Sequence, residues 1–155
     1  MLDHVVDSIR VLHEAITTGG VSAGVTPANA VRPSLDPVAR LRHETARLLV
    51  AGGADGAVSI GDRELTASVA TVTGAIEIAV HGWDISVACG RARMIPSSLA
   101  AVLLPIAPLL ITAEIRPGLF ANPVQLDRPT GASDELVAFL GRQPHLLGPA
   151  ESRSA

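Results

Sequence analysis

Downstream of Glu64, as far as Ala88, the chain carries only three titratable side chains, Glu77, His81 and Asp84, among small and apolar residues. Val69, Val72, Ile76, Val80 and Val87 recur at helical spacing, and Gly90 is placed to stop the run. The pattern predicts one long helix from about Glu64 to Ala88. A helix so apolar on most sides belongs in a protein interior. Ile76, Ile78, Ala79 and Val80 surround Glu77 and His81, and burying such a pair without partners is costly.

Glu77 and His81 are four residues apart, so on a helix they share one face, about 6 Å apart at Cβ. A carboxylate and an imidazole so placed make half of a metal site, and the other half must come from elsewhere in the chain. His4 is a candidate. Asp84, three residues beyond His81, falls on the same face. It can accept from an imidazole and so orient it, or bind a neighbouring Arg or the backbone. Trp83 is expected to pack. Taken alone, E-x-x-x-H also occurs on solvated helix faces, so the apolar surroundings carry the argument.

At 155 residues the chain can bury a real core. Its apolar residues are mostly Ala, Val, Leu and Ile, with one Trp, two Phe and no Tyr. Such a core is built more easily from close-packed helices than from aromatic-rich sheets. All twelve basic residues are Arg, which with the Ala, Gly and Pro content points to a GC-rich genome. The Arg residues are scattered, net charge is −3, and no aromatic platform could stack bases, so nucleic acid is disfavoured as a partner. Cys89 is the sole cysteine, which fits a cytoplasmic location and excludes an internal disulfide. It reads as a small buried core residue, with Arg91 and Arg93 keeping a reactive thiol open. Charges run through the first twenty residues where a signal peptide would be apolar. Met94–Ala113 is uncharged, but its cleanly apolar part, Leu99–Ile111, is too short to span a bilayer. No membrane partner is expected.

Further helices are expected at Met1–Thr18, with Val5, Ile9, Leu12 and Ile16 inward, and from Pro37 to about Ala51. Asp36 would cap the second of these, and Val38, Leu41, Thr45, Leu48 and Leu49 would face inward. Residues 19–35 read as loop, Ala57–Ile60 as a short extended segment, and Gly61-Asp62 as a turn. Ser97 or Ser98 would cap a fourth helix that runs to about Glu114, kinked or split by Pro105 and Pro108. Residues 119–131 look irregular, and Ser133 would cap a last helix, Asp134–Leu140, ended by Gly141. The expected fold class is mainly all-α: a helical bundle with short extended segments in its loops. Residues 1–144 are read as a single domain and 145–155 as a flexible tail. His13, His43 and His145 carry little functional signal, and Arg142 reads as a helix-end cation.

The run Glu77–Gly90, EIAVHGWDISVACG, resembles the signature of the DinB-like, mycothiol-dependent maleylpyruvate isomerase N-terminal family of actinobacteria. Met1–Val6, MLDHVV, resembles the end of that family's LvnHvv segment on its second helix. RPGLF at Arg116–Phe120 and LGRQP at Leu140–Pro144 are similar to the closing segments of an uncharacterised branch. The resemblance covers most of the chain, in order. It implies a DinB-like bundle with metal ligands at His4, Glu77 and His81. The implied cofactor is a divalent ion, Zn²⁺ first and Ni²⁺ or another first-row ion after it, with mycothiol as a cosubstrate. The implied partner is a small-molecule thiol or substrate, and the implied chemistry is thiol transfer or thiol-assisted cis–trans isomerisation.

Family members begin with another helix, bearing a TPC…W turn, ahead of the segment that MLDHVV matches. Relative to them this sequence is shortened at its N-terminus, which leaves three alternatives. The start lies upstream, a homodimer covers the groove a first helix would fill, or the chain is a degenerate relative. In the last case it would be a non-catalytic bundle acting through protein association or small-ligand binding.

Overall fold

The computed structural model describes residues 2–21, 36–52, 56–60, 63–91, 93–128 and 131–144. Among them the chain is mostly helical, with six helices and a small three-stranded sheet. The helices are α1 (Leu2–Thr18), α2 (Pro37–Ala51), α3 (Ala67–Ala88), α4 (Ser97–Leu103), α5 (Ala107–Leu110) and α6 (Ala132–Phe139). The strands are β1 (Gly20–Val21), β2 (Ala57–Ile60) and β3 (Arg63–Thr66). The chain divides into two compact units, Met1–Ile78 and Ala79–Ala155. The division falls inside α3, whose backbone runs on as one helix.

In the first unit, α1 buries Val5, Val6, Ile9 and Ala15, the apolar face its periodicity predicts, except that Ile16 is half-buried and Leu12 partly so. α2 packs along α1. An exposed ion pair, Arg40 Nη1 to Asp3 Oδ1 at 2.9 Å, links the two helices and contributes little in so solvated a position. α2 itself contributes no fully buried side chain. Leu49 and Val50 are 77% and 89% exposed and Val38 is exposed too, which corrects the inward placement of Val38 and Leu49. Asp36 accepts from the Arg40 N–H through its backbone oxygen, with no side-chain cap.

The sheet explains where α3 begins. β2 pairs in parallel with β1, Gly20 opposite Ser59, and antiparallel with β3, Ser59 opposite Glu64. The helix expected from Glu64 therefore starts three residues later, because Arg63–Thr66 satisfies its backbone against β2 instead. Thr66 then caps α3, its Oγ1 accepting from the Val69 N–H at 3.3 Å. Ala15, Val58 and Ala67 form a buried cluster, flanked by Val21. The Gly61-Asp62 turn and most of the 19–35 loop lie outside the described residues.

In the second unit, α3 supplies buried Val80 and Trp83. Gly90, at φ 64°, closes the helix, its N–H donating to the Val87 carbonyl while the Arg91 N–H donates to that of Ser86. Cys89 is exposed, so it is not the buried core residue the sequence suggests; it lies one residue past the last turn of α3, where the apolar run has already ended. Pro105 and Pro108 split the expected fourth helix into α4 and α5, which stops at Leu110 rather than Glu114. α4 packs on α6.

Ser133 does not cap α6. Gly131 occupies the cap position, and the Ser133 side chain is buried, its hydroxyl accepting from the Ile95 N–H at 3.0 Å. Arg116 is also buried. Its Nη1 donates to the Ala121 carbonyl at 2.7 Å, and its guanidinium lies 4.8 Å from the centre of the Phe139 ring. No helix among the described residues is long and apolar enough to cross a membrane. The tail after Pro144, with His145, lies outside the described residues.

Candidate metal centre

His4 stands in the first turn of α1, exposed, while Glu77 and His81 stand half-buried on successive turns of α3. Each of the three offers one ligand atom, and these atoms all lie within 4.8 Å of one another. Among the described residues this is the one group of three or more His, Cys, Asp or Glu side chains gathered closely enough to hold a metal ion. The local reasons are plain. Helical spacing puts Glu77 beside His81. His4 sits on the same helix as buried Val5 and Val6, which anchor that end of α1.

The donor set suits a divalent ion. Two imidazole nitrogens and one carboxylate oxygen match the three protein ligands of catalytic zinc sites, which leave a further position open. Bonds of about 2.0–2.2 Å to a tetrahedral ion put neighbouring donors about 3.3–3.5 Å apart. A 4.8 Å limit on the widest pair leaves an adjustment of at most about 1.5 Å, within reach of a side-chain rotation.

Asp84 lies where helical spacing puts it, with Oδ2 3.3 Å from His81 Nδ1. It is not left to orient the imidazole alone. Arg142 donates to it twice, Nη2 to Oδ2 at 2.9 Å and Nε to Oδ1 at 3.3 Å. Arg142 Nη1 also donates to the Leu140 carbonyl at 2.8 Å, and its guanidinium lies 5.9 Å from the centre of the Phe120 ring. Asp84 therefore faces an imidazole and binds an Arg at once. Arg142 does reach a helix-end carbonyl, as a helix-end cation would, but its forked grip on Asp84 is what ties it to the site. An Asp carboxylate beside Nδ1 favours the tautomer with its proton there, which directs the lone pair of Nε2 outward as a metal donor.

Beside Glu77, within the first unit, is a partly open pocket of about 180 Å³ lined by Ser8, Val11, Leu12, Ala70, Gly74, Glu77 and Ile78. Sequence reading did not find it. The signal was present in Gly74, a glycine inside an apolar helix: a Cβ there would run into the terminal methyl groups of Leu12. His13 and His43 border a separate, more open hollow with Arg47 and Val50, which has no lining residue in common with that pocket.

No family model, curated protein or solved structure matches the chain.

Proposed function

We propose that this protein binds one divalent metal ion, Zn²⁺ first among candidates, through His4, Glu77 and His81, and uses it in thiol-dependent isomerase or transferase chemistry. The observation that carries the reading is the gathering of two imidazoles and a carboxylate within 4.8 Å, on two different helices. The resemblance of Glu77–Gly90 to the DinB-like maleylpyruvate isomerase segment supports the choice of chemistry, with mycothiol or another small thiol as cosubstrate. A bound divalent ion would supply Lewis acidity, lowering the pKa of a thiol or water at neutral pH.

The chain's own residues have separate tasks in this scheme. Glu77 supplies charge compensation and one oxygen donor. Asp84 holds the His81 Nδ1 proton, and Arg142 fixes Asp84. Val11, Leu12 and Ile78 give one side of Glu77 an apolar, partly open pocket. A cytoplasmic location, where a lone exposed thiol such as Cys89 stays reduced, belongs to the same proposal.

The test is alkylation of a low-molecular-weight thiol at neutral pH, in a Cys89→Ala background so that the protein's own thiol does not react. Zinc-loaded protein should accelerate it, and His81→Ala should not. Equal rates with and without His81 would remove the thiol chemistry and leave metal binding to stand by itself.

A second reading has its own support. Val38, Leu49 and Val50 on α2 are exposed apolar side chains, the kind of surface that favours association with another chain or a second copy. Light scattering separates the two, since association predicts a dimer or larger species at micromolar concentration.

A further inference from the structure

We propose that the hollow between α1 and α2 binds a small organic monocarboxylate, its carboxylate held by Arg47, His13 and His43 and its apolar body laid on Val50. The inference lies beyond the metal reading and does not depend on it.

Helical spacing builds the hollow. His13 and Thr17 are four residues apart on α1, and His43, Arg47 and Val50 recur at i, i+4 and i+7 on α2, so each set shares one face of its helix. The two helices pack together, yet α2 buries no side chain fully. Ala46 and Ala51 put single methyl groups where larger side chains would close the gap. The space left is about 480 Å³, within the range of small-molecule sites.

The donors set the charge of the ligand. His13, His43 and Arg47 bring two imidazoles and a guanidinium to the hollow, and no acidic residue lines it. Among the described residues neither ring has a hydrogen-bond or ion-pair partner. A neutral imidazole offers one N–H, and a guanidinium matches a carboxylate in its plane. Thr17 Oγ1 already donates to the His13 carbonyl at 2.8 Å, so the rings and the guanidinium are the donors left to a ligand. Neither helix carries a basic residue in its last turn, so the three are not placed to offset the helix C-terminal charge. Arg47 Nη1 donates to Glu44 Oε2 at 3.1 Å, which answers part of its charge. The hollow therefore suits an anion of one charge rather than two.

The rest of the wall sets the body. Val50 is 89% exposed, and with Ala46 and Ala51 it gives an aliphatic surface beside the donors. A hydrocarbon body laid there takes that surface out of water. Binding makes and breaks no covalent bond.

The experiment titrates the full chain with benzoate, benzamide, acetate and inorganic phosphate. Imidazole resonances are followed by NMR and assigned through His13→Gln and His43→Gln. Benzoate should shift both rings in a saturable way. It should bind at least about tenfold more tightly than benzamide, which keeps the shape without the charge, and than acetate, which keeps the charge without the ring. Phosphate should bind more weakly than benzoate. Arg47→Gln should lower benzoate affinity about tenfold and Val50→Ser severalfold, with far-UV circular dichroism unchanged, since both residues are exposed. No saturable shift at either ring, equal affinity for benzoate and benzamide, or a tighter hold on phosphate would overturn the inference. So would a benzoate affinity unchanged in both folded variants. His13 stands nine residues, about 14 Å of helix, beyond His4, so none of these outcomes bears on the metal centre.

Discussion

Arg142 holds Asp84 with two guanidinium nitrogens, Nη2 on Oδ2 at 2.9 Å and Nε on Oδ1 at 3.3 Å, and the same Oδ2 faces His81 Nδ1 at 3.3 Å. The three side chains form a relay from the end of α6 to the imidazole on α3 that we propose as a metal ligand. All three are largely sheltered, with side-chain exposures of 22%, 12% and 15% for Arg142, Asp84 and His81. In such a setting the forked geometry matters more than the charge, and Lys cannot reproduce it.

Asp84→Asn and Arg142→Ala are therefore expected to weaken zinc binding about 10–100-fold, as loss of an orienting partner does at other metal sites. Competition against a chromogenic chelator measures this. Arg142→Lys should recover only part of the loss, since one ammonium cannot bridge both carboxylate oxygens. Arg142→Ala should also cost about 1.5–3 kcal/mol of stability in urea unfolding, because Asp84 loses its charge-assisted hydrogen bonds while remaining sheltered. Unchanged zinc affinity in both Asp84→Asn and Arg142→Ala would show that the relay has no bearing on the ligands.

Gly141 places Arg142. Its φ is 81°, and a Cβ added there would stand 2.7 Å from the Ala121 carbonyl oxygen, a backbone atom that cannot swing aside. Gly141→Ala should destabilise the protein by about 2–3 kcal/mol, combining left-handed strain with the clash. Zinc affinity should fall with it, as Arg142 moves off Asp84. Thermal unfolding and chelator competition on one sample read both effects, and a stable variant with normal zinc binding would refute the link.

Ser133→Ala tests a different contact. The hydroxyl is buried and accepts from the Ile95 N–H at 3.0 Å. Its removal leaves a sheltered backbone donor without that acceptor, at an expected cost of about 1–3 kcal/mol. Ser133→Thr keeps the oxygen and should cost less. Zinc affinity should not change in either, which separates this from the relay variants.

The sequence foretold some of these elements and missed others for identifiable reasons. Proline punctuation gave the start of α2 and the split of α4 from α5, because proline acts through its own backbone geometry. The start of α3 was misplaced because Arg63–Thr66 has no strong preference and its pairing with β2 is a non-local fact. Ser133 looked like a cap by position, yet its partner is Ile95, far away in sequence. Helical spacing was enough to join Glu77, His81 and Asp84. His4 was a bare candidate until the resemblance of MLDHVV to a family segment singled it out, since nothing local ties the start of α1 to the middle of α3. The forked contact between Arg142 and Asp84 spans 58 residues and leaves no trace in local pattern.

The most direct measurement is the metal content of the purified full chain after zinc loading and exhaustive dialysis, by elemental analysis, for wild type, His4→Ala and His81→Ala. A centre built from His4, Glu77 and His81 predicts close to one equivalent of zinc in wild type and loss of most of it in each variant. Circular dichroism should show both variants folded, since His4 is exposed and His81 half-buried. A metal-free wild type, or folded variants that hold as much zinc as wild type, would contradict the proposed centre.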